Sequence, residues 1–157
     1  MLQPRIVTLQ KKKIIGRRLR MSLADNKTFD LWRSFMPQRG KVQNQVSTEL
    51  ISMHVYDEPL RMDPRQEFDK WAAVEVSDFN NIPDGMERFL LNEGLYAVFD
   101  YKGLNTDSGI FIYIFTEWLP NSDYVLDNKP HFEILGDKYR NNDPESEEEI
   151  WIPVQPK

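Results

Sequence analysis

The chain has no cysteine and only two histidines, His54 and His131, in 157 residues. Without thiolates there is neither a disulfide framework nor a cysteine zinc site, and nothing demands an oxidising compartment. No H-E-x-x-H spacing is present, so each histidine reads as a strand residue with a hydrogen-bonded ring, and no metal is expected. The seven glycines are scattered, and none forms the phosphate-cradling spacings of nucleotide enzymes. A nucleophile elbow of the G-x-S-x-G type is also missing. No stretch approaches the roughly 20 apolar residues of a membrane span, and the chain opens on strand-like residues rather than the apolar run of a signal peptide. A cytoplasmic location, no cofactor and no membrane contact are therefore expected. The net charge of −5 argues against direct binding of nucleic acid, which needs a surplus of Lys and Arg. That charge is uneven. Arg5, Lys11, Lys12, Lys13, Arg17, Arg18 and Arg20 precede the first acid, whereas Asp143, Glu145, Glu147, Glu148 and Glu149 crowd the far end. Solvated strand edges account for both runs, the alternative being a basic patch that touches a partner.

What is present is a single domain of ordinary size, residues 1–157, with an internal echo. "PRIVTLQKKKIIGRRLRMSL" is extended, with a bend or bulge expected at Gly16. In "ADNKTFDLWRSFMPQRG", Asp25 or Asn26 can cap a helix whose Phe29, Trp32 and Phe35 recur at three-residue spacing with Leu31 and Met36, and Pro37 with Gly40 ends it. "STELISMHVYDEP" and "EFDKWAAVEVSDF" read as strands. A connection over about 80–93 leads to the second half. "GLYAVFDYKG", "KPHFEILG" and "EEEIWIPVQ" are strands there. "NTDSGIFIYIFTEWLP" holds six consecutive β-branched or aromatic residues, Ile110 to Phe115, and propensity alone would make it a strand. It is assigned as a helix because Thr106, Asp107 or Ser108 can cap it, Phe111, Phe115 and Trp118 lie at i, i+4 and i+7, and Pro120 stops it as Pro37 stops the first.

Element order thus predicts an α+β fold. Two β-α-β-β repeats, about 4–79 and 94–155, pair about a pseudo-twofold, with helices on one side of antiparallel strands and a groove where the halves meet. Clefts at such junctions concentrate small-molecule sites.

Glu133, inside "PHFEILG", is the residue this architecture makes interesting. Alternation sends Phe132 and Ile134 to one face and His131, Glu133 and Leu135 to the other. A lone strand glutamate is commonly solvated. Facing an aromatic cleft instead, its anionic form would be desolvated and relieved by a cation between rings. The second half is dense in aromatics, and its tyrosines, including Tyr96 and Tyr113, with Trp118, have polar handles that suit a cleft wall as well as a core.

"GLYAVFDYKG", "WLPNSDYVLDNKPHFEIL" and "EEIWIPV" resemble, in order and spacing, the signature of the GyrI-like small-molecule-binding family, the effector-binding domain of AraC-type and MerR-type regulators. "LWRSFMPQ", "VYDEP" and "DKWAAVEV" resemble its first-half motifs, and the likeness runs from about residue 4 to 155. The resemblance implies paired repeats with a ligand groove between them and places Glu133 in that groove. It gives Trp118, Tyr56, Tyr113 and Phe115 as wall positions. The chain departs from the family pattern at Asp123, where glycine is usual, and at Leu135, where a tyrosine is common. A stand-alone binder of a lipophilic, aromatic or cationic small molecule is the expected function, acting on transcription only through a partner protein. The alternatives are a hydrolase of electrophilic small molecules using Glu133 and Tyr113, and a gyrase-inhibitor-like interaction module that engages a macromolecule through the basic N-terminal segment.

Overall fold

A computed structural model describes residues 2–157. Nine strands and two helices follow the chain: β1 (Arg5–Leu9), β2 (Lys12–Ser22), α1 (Thr28–Phe35), β3 (Leu50–Val55), β4 (Glu67–Val76), β5 (Glu87–Leu91), β6 (Gly94–Lys102), α2 (Gly109–Tyr113), β7 (Tyr124–Leu126), β8 (His131–Leu135) and β9 (Glu147–Pro156). The fold is α+β, its strands antiparallel in the order β1-β6-β9-β8-β3-β4-β2-β5, with β7 added to β9. Exchanging β1 with β5, β2 with β6, β4 with β9 and β3 with β8 gives the same order read from its other end.

The connections force the sheet to curl. β1 and β2 are joined by Gln10 and Lys11 alone, yet β1 stands at one end of the strand order and β2 next to the other. Asn92 and Glu93 join β5 to β6 in the same way. The two ends must therefore meet, which encloses one face of the sheet. Inside lie Trp71, Tyr96, Phe132, Met53, Ile51 and Leu91, a core to which no helix contributes.

Both helices cover the outer face. Residues directly opposite one another on paired strands share a face, and the row Ile150, Glu133, Ser52, Ala72 runs across β9, β8, β3 and β4. On that face α1 packs Leu31 and Phe35 against Ile15, Phe68 and Val74. α2 and the turn that continues it pack Ile110, Phe111, Ile114 and Phe115 against Phe99, Ile150 and Ile152. The central pair β3/β8 runs between the two helical cores.

Local detail departs from the sequence reading in four places. β2 stays in register through Gly16, and the chain breaks instead at Gln10–Lys11. Gly16 serves close approach: a Cβ there would stand 2.1 Å from the Ala72 carbonyl oxygen. Pro37 does not end the first helix but sits in the opening turn of a 3₁₀ extension, Met36–Lys41, where its missing N–H costs nothing. Phe29 is 75% exposed and lies off the buried stripe. The connection over 80–93 contains β5, which pairs with β2.

Helix starts use the predicted region with different geometry. Asn26 Oδ1 accepts from the Thr28 N–H at 2.9 Å, and Asp107 Oδ1 from the Gly109 N–H at 2.8 Å. α2 then widens into a π turn over Ile114–Trp118, in which the Leu119 N–H donates to the Ile114 carbonyl at 2.8 Å. Burial of its rings and β-branched side chains outweighs their weak helix propensity. The basic N-terminal run is largely matched by acids on neighbouring strands. Arg5 pairs with Asp100 and Glu149, Lys12 with Glu75, Arg18 with Asp69 and Glu87, and Arg20 with Asp57 and Asp69.

Candidate functional site

Between the helices, the outer face of the sheet presents three rows of residues on β4, β3, β8 and β9. His54 stands opposite both Lys70 and His131 in the first row, and Ser52 opposite Ala72 and Glu133 in the second. Leu50 faces Leu135 in the third, with Glu148 beside them on β9, two residues from Ile150 and so on the same face. Polar residues thus occupy positions that strand alternation reserves for core on either side.

Rings close around the histidines. Tyr56 stacks on His54 at a centroid distance of 6.0 Å and meets His131 edge-on at 5.3 Å. Phe68 approaches His54 to 4.6 Å, and Phe115, from the π turn of the second helix, approaches His131 to 6.2 Å. Lys70 Nζ lies 3.3 Å from His54 Nε2. Lys70, His131 and Ser52 are buried, whereas Glu133 keeps partial access to solvent.

Burial sets the electrostatics. It holds the His131 imidazole down at about 4, and with the nearby charge of Lys70 it holds His54 well below its usual range. Both rings are therefore neutral at physiological pH. Burial also lowers Lys70, opposed by the attraction of Glu133 and Glu148. Glu148 is pushed up to about 9, first by desolvation and then by the charge of Glu133, with Lys70 pulling the other way. Its Oε2 is buried with no hydrogen-bond partner. Tyr139, in the loop from Gly136 to Ser146, is pushed up to about 12 by burial and by the fields of Glu148 and Glu133. That loop is pinned by buried Ser146, whose Oγ accepts from the Arg140 N–H at 2.7 Å.

The structure brings together Glu133, Tyr56 and Phe115 of the residues expected at the site. It separates the others. Tyr96 lies in the enclosed inner core, fully buried, its hydroxyl donating to the Pro130 carbonyl at 2.8 Å. Tyr113 turns to the far flank of α2, where its hydroxyl donates to the Leu2 carbonyl at 2.9 Å and its ring lines a surface cavity of about 460 Å³ with Ile110 and Tyr101. Trp118 packs edge-on to Phe99 at 5.2 Å and stacks with Tyr124 at 6.5 Å, over the outer strands β6 and β7.

Lys70, Glu148, His54, His131 and Tyr139 complete the cleft and were not singled out as site residues. Two had a signal. Lys70 interrupts the buried series Phe68, Ala72, Val74, Val76, and Glu148 heads the series Ile150, Ile152, Val154, each at alternate positions. Tyr139 sits in a loop with no periodicity to mark it. Among the described residues no group of three or more His, Cys, Asp or Glu side chains is arranged to hold a metal ion, and no helix is long and apolar enough to cross a membrane.

A curled antiparallel sheet carrying two helices on one face, with acidic residues and rings on the strands between them, has the architecture of an effector-binding domain of the GyrI-like kind. A family model described as Cass2, integron-associated effector binding protein, matches residues 5–154, and the chain belongs to this family. It is 26% identical over 152 residues to the transcriptional regulator BrlR of Pseudomonas aeruginosa, an alignment covering 96% of this chain and 54% of that protein. The chain thus spans about half the length of the curated relative it matches. Its fold is similar to that of the integron cassette protein VCH_CASS2 from the mobile metagenome of Vibrio cholerae, with a TM-score of 0.69 and 16% identity over 98% of this chain and 97% of the other. It is likewise similar to SAV2435, solved bound to tetraphenylphosphonium, with a TM-score of 0.72 and 15% identity over 98% and 94% of the two chains.

Proposed function

We propose that the cleft binds a small lipophilic organic cation, held between the rings of Tyr56 and Phe115 with its charge on Glu133. The observation that carries this reading is the acidic pair on the outer face between the helices. Glu133 on β8 and Glu148 on the adjacent strand β9 both act on Lys70, and a side-chain oxygen of Glu148 is buried without a hydrogen-bond partner. A partly desolvated carboxylate such as Glu133 favours a cation that brings little hydration shell of its own, and aromatic faces attract the same species. The tetraphenylphosphonium complex of a protein with the same fold supports this ligand class. Family membership and the BrlR likeness support coupling of the bound state to a transcriptional output through a partner protein.

Calorimetry with tetraphenylphosphonium tests the proposal. Glu133→Gln keeps the shape of the side chain and removes its charge. Losing a charged contact of this kind removes about 1.5–3 kcal/mol, a weakening of roughly 10- to 150-fold. An affinity unchanged in Glu133→Gln would show that Glu133 does not hold the ligand's charge.

A further inference from the structure

On the outer face of β4 the buried series Phe68, Ala72, Val74, Val76 is apolar except where Lys70 stands inside it, with only 6% of that residue exposed. Its Nζ lies 3.3 Å from Nε2 of His54, the residue directly opposite on β3. An ammonium has three N–H donors and no acceptor, so Lys70 donates to Nε2 and the ring hydrogen of His54 sits on Nδ1. Among the described residues no other side chain accepts from Nζ and no carboxylate forms an ion pair with it; Glu133 and Glu148 act on it through space alone. Lysines are almost never buried this deeply without a paired acid, because an ammonium taken out of water with donors unmet costs stability.

Glu133 supplies the opposite charge at a distance. It lies one row along and two strands over, on β8 opposite Ser52, while Lys70 is opposite His54 on β3. Two strand spacings set the two backbones roughly 10 Å apart measured across the sheet. A face with one ammonium and one carboxylate at that separation matches a molecule that itself carries a head of each sign.

We infer that Lys70 is a second anchoring residue of the ligand site, donating to a carboxylate oxygen of the ligand, and that the preferred guest is amphoteric, its cationic head on Glu133 and its anionic arm on Lys70. This rests on the reading of Glu133 as the counter-ion of an organic cation and narrows the ligand class from a bare cation to a zwitterion. A bare cation on Glu133 leaves the donors of Lys70 unmet and brings a like charge towards it. An anionic arm removes both costs, and a charge-assisted hydrogen bond gains strength where water is excluded. The approach to the ammonium runs past His54 and the Tyr56 ring stacked on it, both partly exposed.

Calorimetric titration of the intact chain with a matched pair of ligands tests the inference. Carboxybutyl-triphenylphosphonium is a zwitterion at about pH 7, and pentyl-triphenylphosphonium has an arm of the same length without the carboxylate. In the wild type the carboxylate ligand is expected to bind the tighter of the two, a comparison that needs no variant to fold. Lys70→Met keeps the unbranched stem and removes the ammonium. It should weaken the carboxylate ligand by roughly 10- to 150-fold, the usual loss for a hydrogen bond to a charged group. The pentyl ligand should bind the variant as well as the wild type or better, because a like charge has gone. A lysine with a structural role only would weaken both ligands alike. That result, or equal binding of the pair by the wild type, would overturn the Lys70 anchor and leave the cation reading standing. Glu133→Gln without effect on either ligand would overturn the cation reading instead, and no binding of either ligand would overturn both.

Discussion

Glu148 keeps its proton in the folded chain up to about pH 9, against an ordinary value of 4.5 when its surroundings are gone. Between those limits the folded state binds a proton that the unfolded state has released, so stability falls as pH rises through this window. Glu148→Gln places a neutral group of the same shape there at every pH. The variant is expected to gain stability relative to the wild type as pH rises from about 5 to 9, visible as a melting temperature that climbs by a few degrees per kcal/mol at the alkaline end. Thermal unfolding across that range checks it, and a constant difference between the two proteins would contradict it. His131 works in the opposite direction at lower pH. Its folded value of about 4 lies below its unfolded value of 6.5, so the unfolded chain gains a proton first and stability is lost on acidification between the two. The cleft is thus destabilised from both sides, as expected of a polar site buried for binding rather than for stability.

At the scale of elements, the close approach of β2 to β4 depends on Gly16. An added Cβ would stand 2.1 Å from the Ala72 carbonyl oxygen and 2.6 Å from Ala73 Cα, both backbone atoms that cannot rotate aside. Gly16→Ala is expected to cost about 1–3 kcal/mol, as overpacking in a well-packed interior does. At about 2–4 °C per kcal/mol for a chain of this size, the melting temperature should drop by several degrees. The second helix shows why strand and helix patterns located the elements better than they located the site. The stripe Phe111, Phe115, Trp118 assumes the regular period of an α-helix, but the turn over Ile114–Trp118 is π-helical and wider. Phe115 still meets His131, while Trp118 is carried round to Phe99 and Tyr124. For strands, alternation divides residues into two faces without saying which is enclosed. Tyr96 and Glu133 both stood on credible cleft faces, and only the curl of the sheet assigns Tyr96 to the inner core. The strands β5 and β7 were missed because one lies in a Pro- and Gly-bearing connection and the other is three residues long. Long periodic segments were legible, because each must bury one stripe wherever it docks.

At the scale of the whole molecule, each half of the chain completes the sheet of the other. β1, from the first half, pairs with β6, and β5, from the connection, pairs with β2. A variant lacking residues through Leu9 would leave β6 with an open edge and expose Tyr96 and Val98 of the inner core, which Leu9 and Val7 now cover. Loss of cooperative unfolding, with binding of a hydrophobic dye, is the expected result by calorimetry and fluorescence. Retention of a sharp transition would mean that β1 is dispensable.

The same reciprocity governs what an occupant of the cleft can move. Since short connections at Gln10–Lys11 and Asn92–Glu93 bind each half to the far rim of its neighbour, the lobes are clasped and cannot part like jaws. A guest wedged over β3 and β8 must spend its push on the tilt of the flanking helices, whose exposed backs are where its arrival becomes readable from outside.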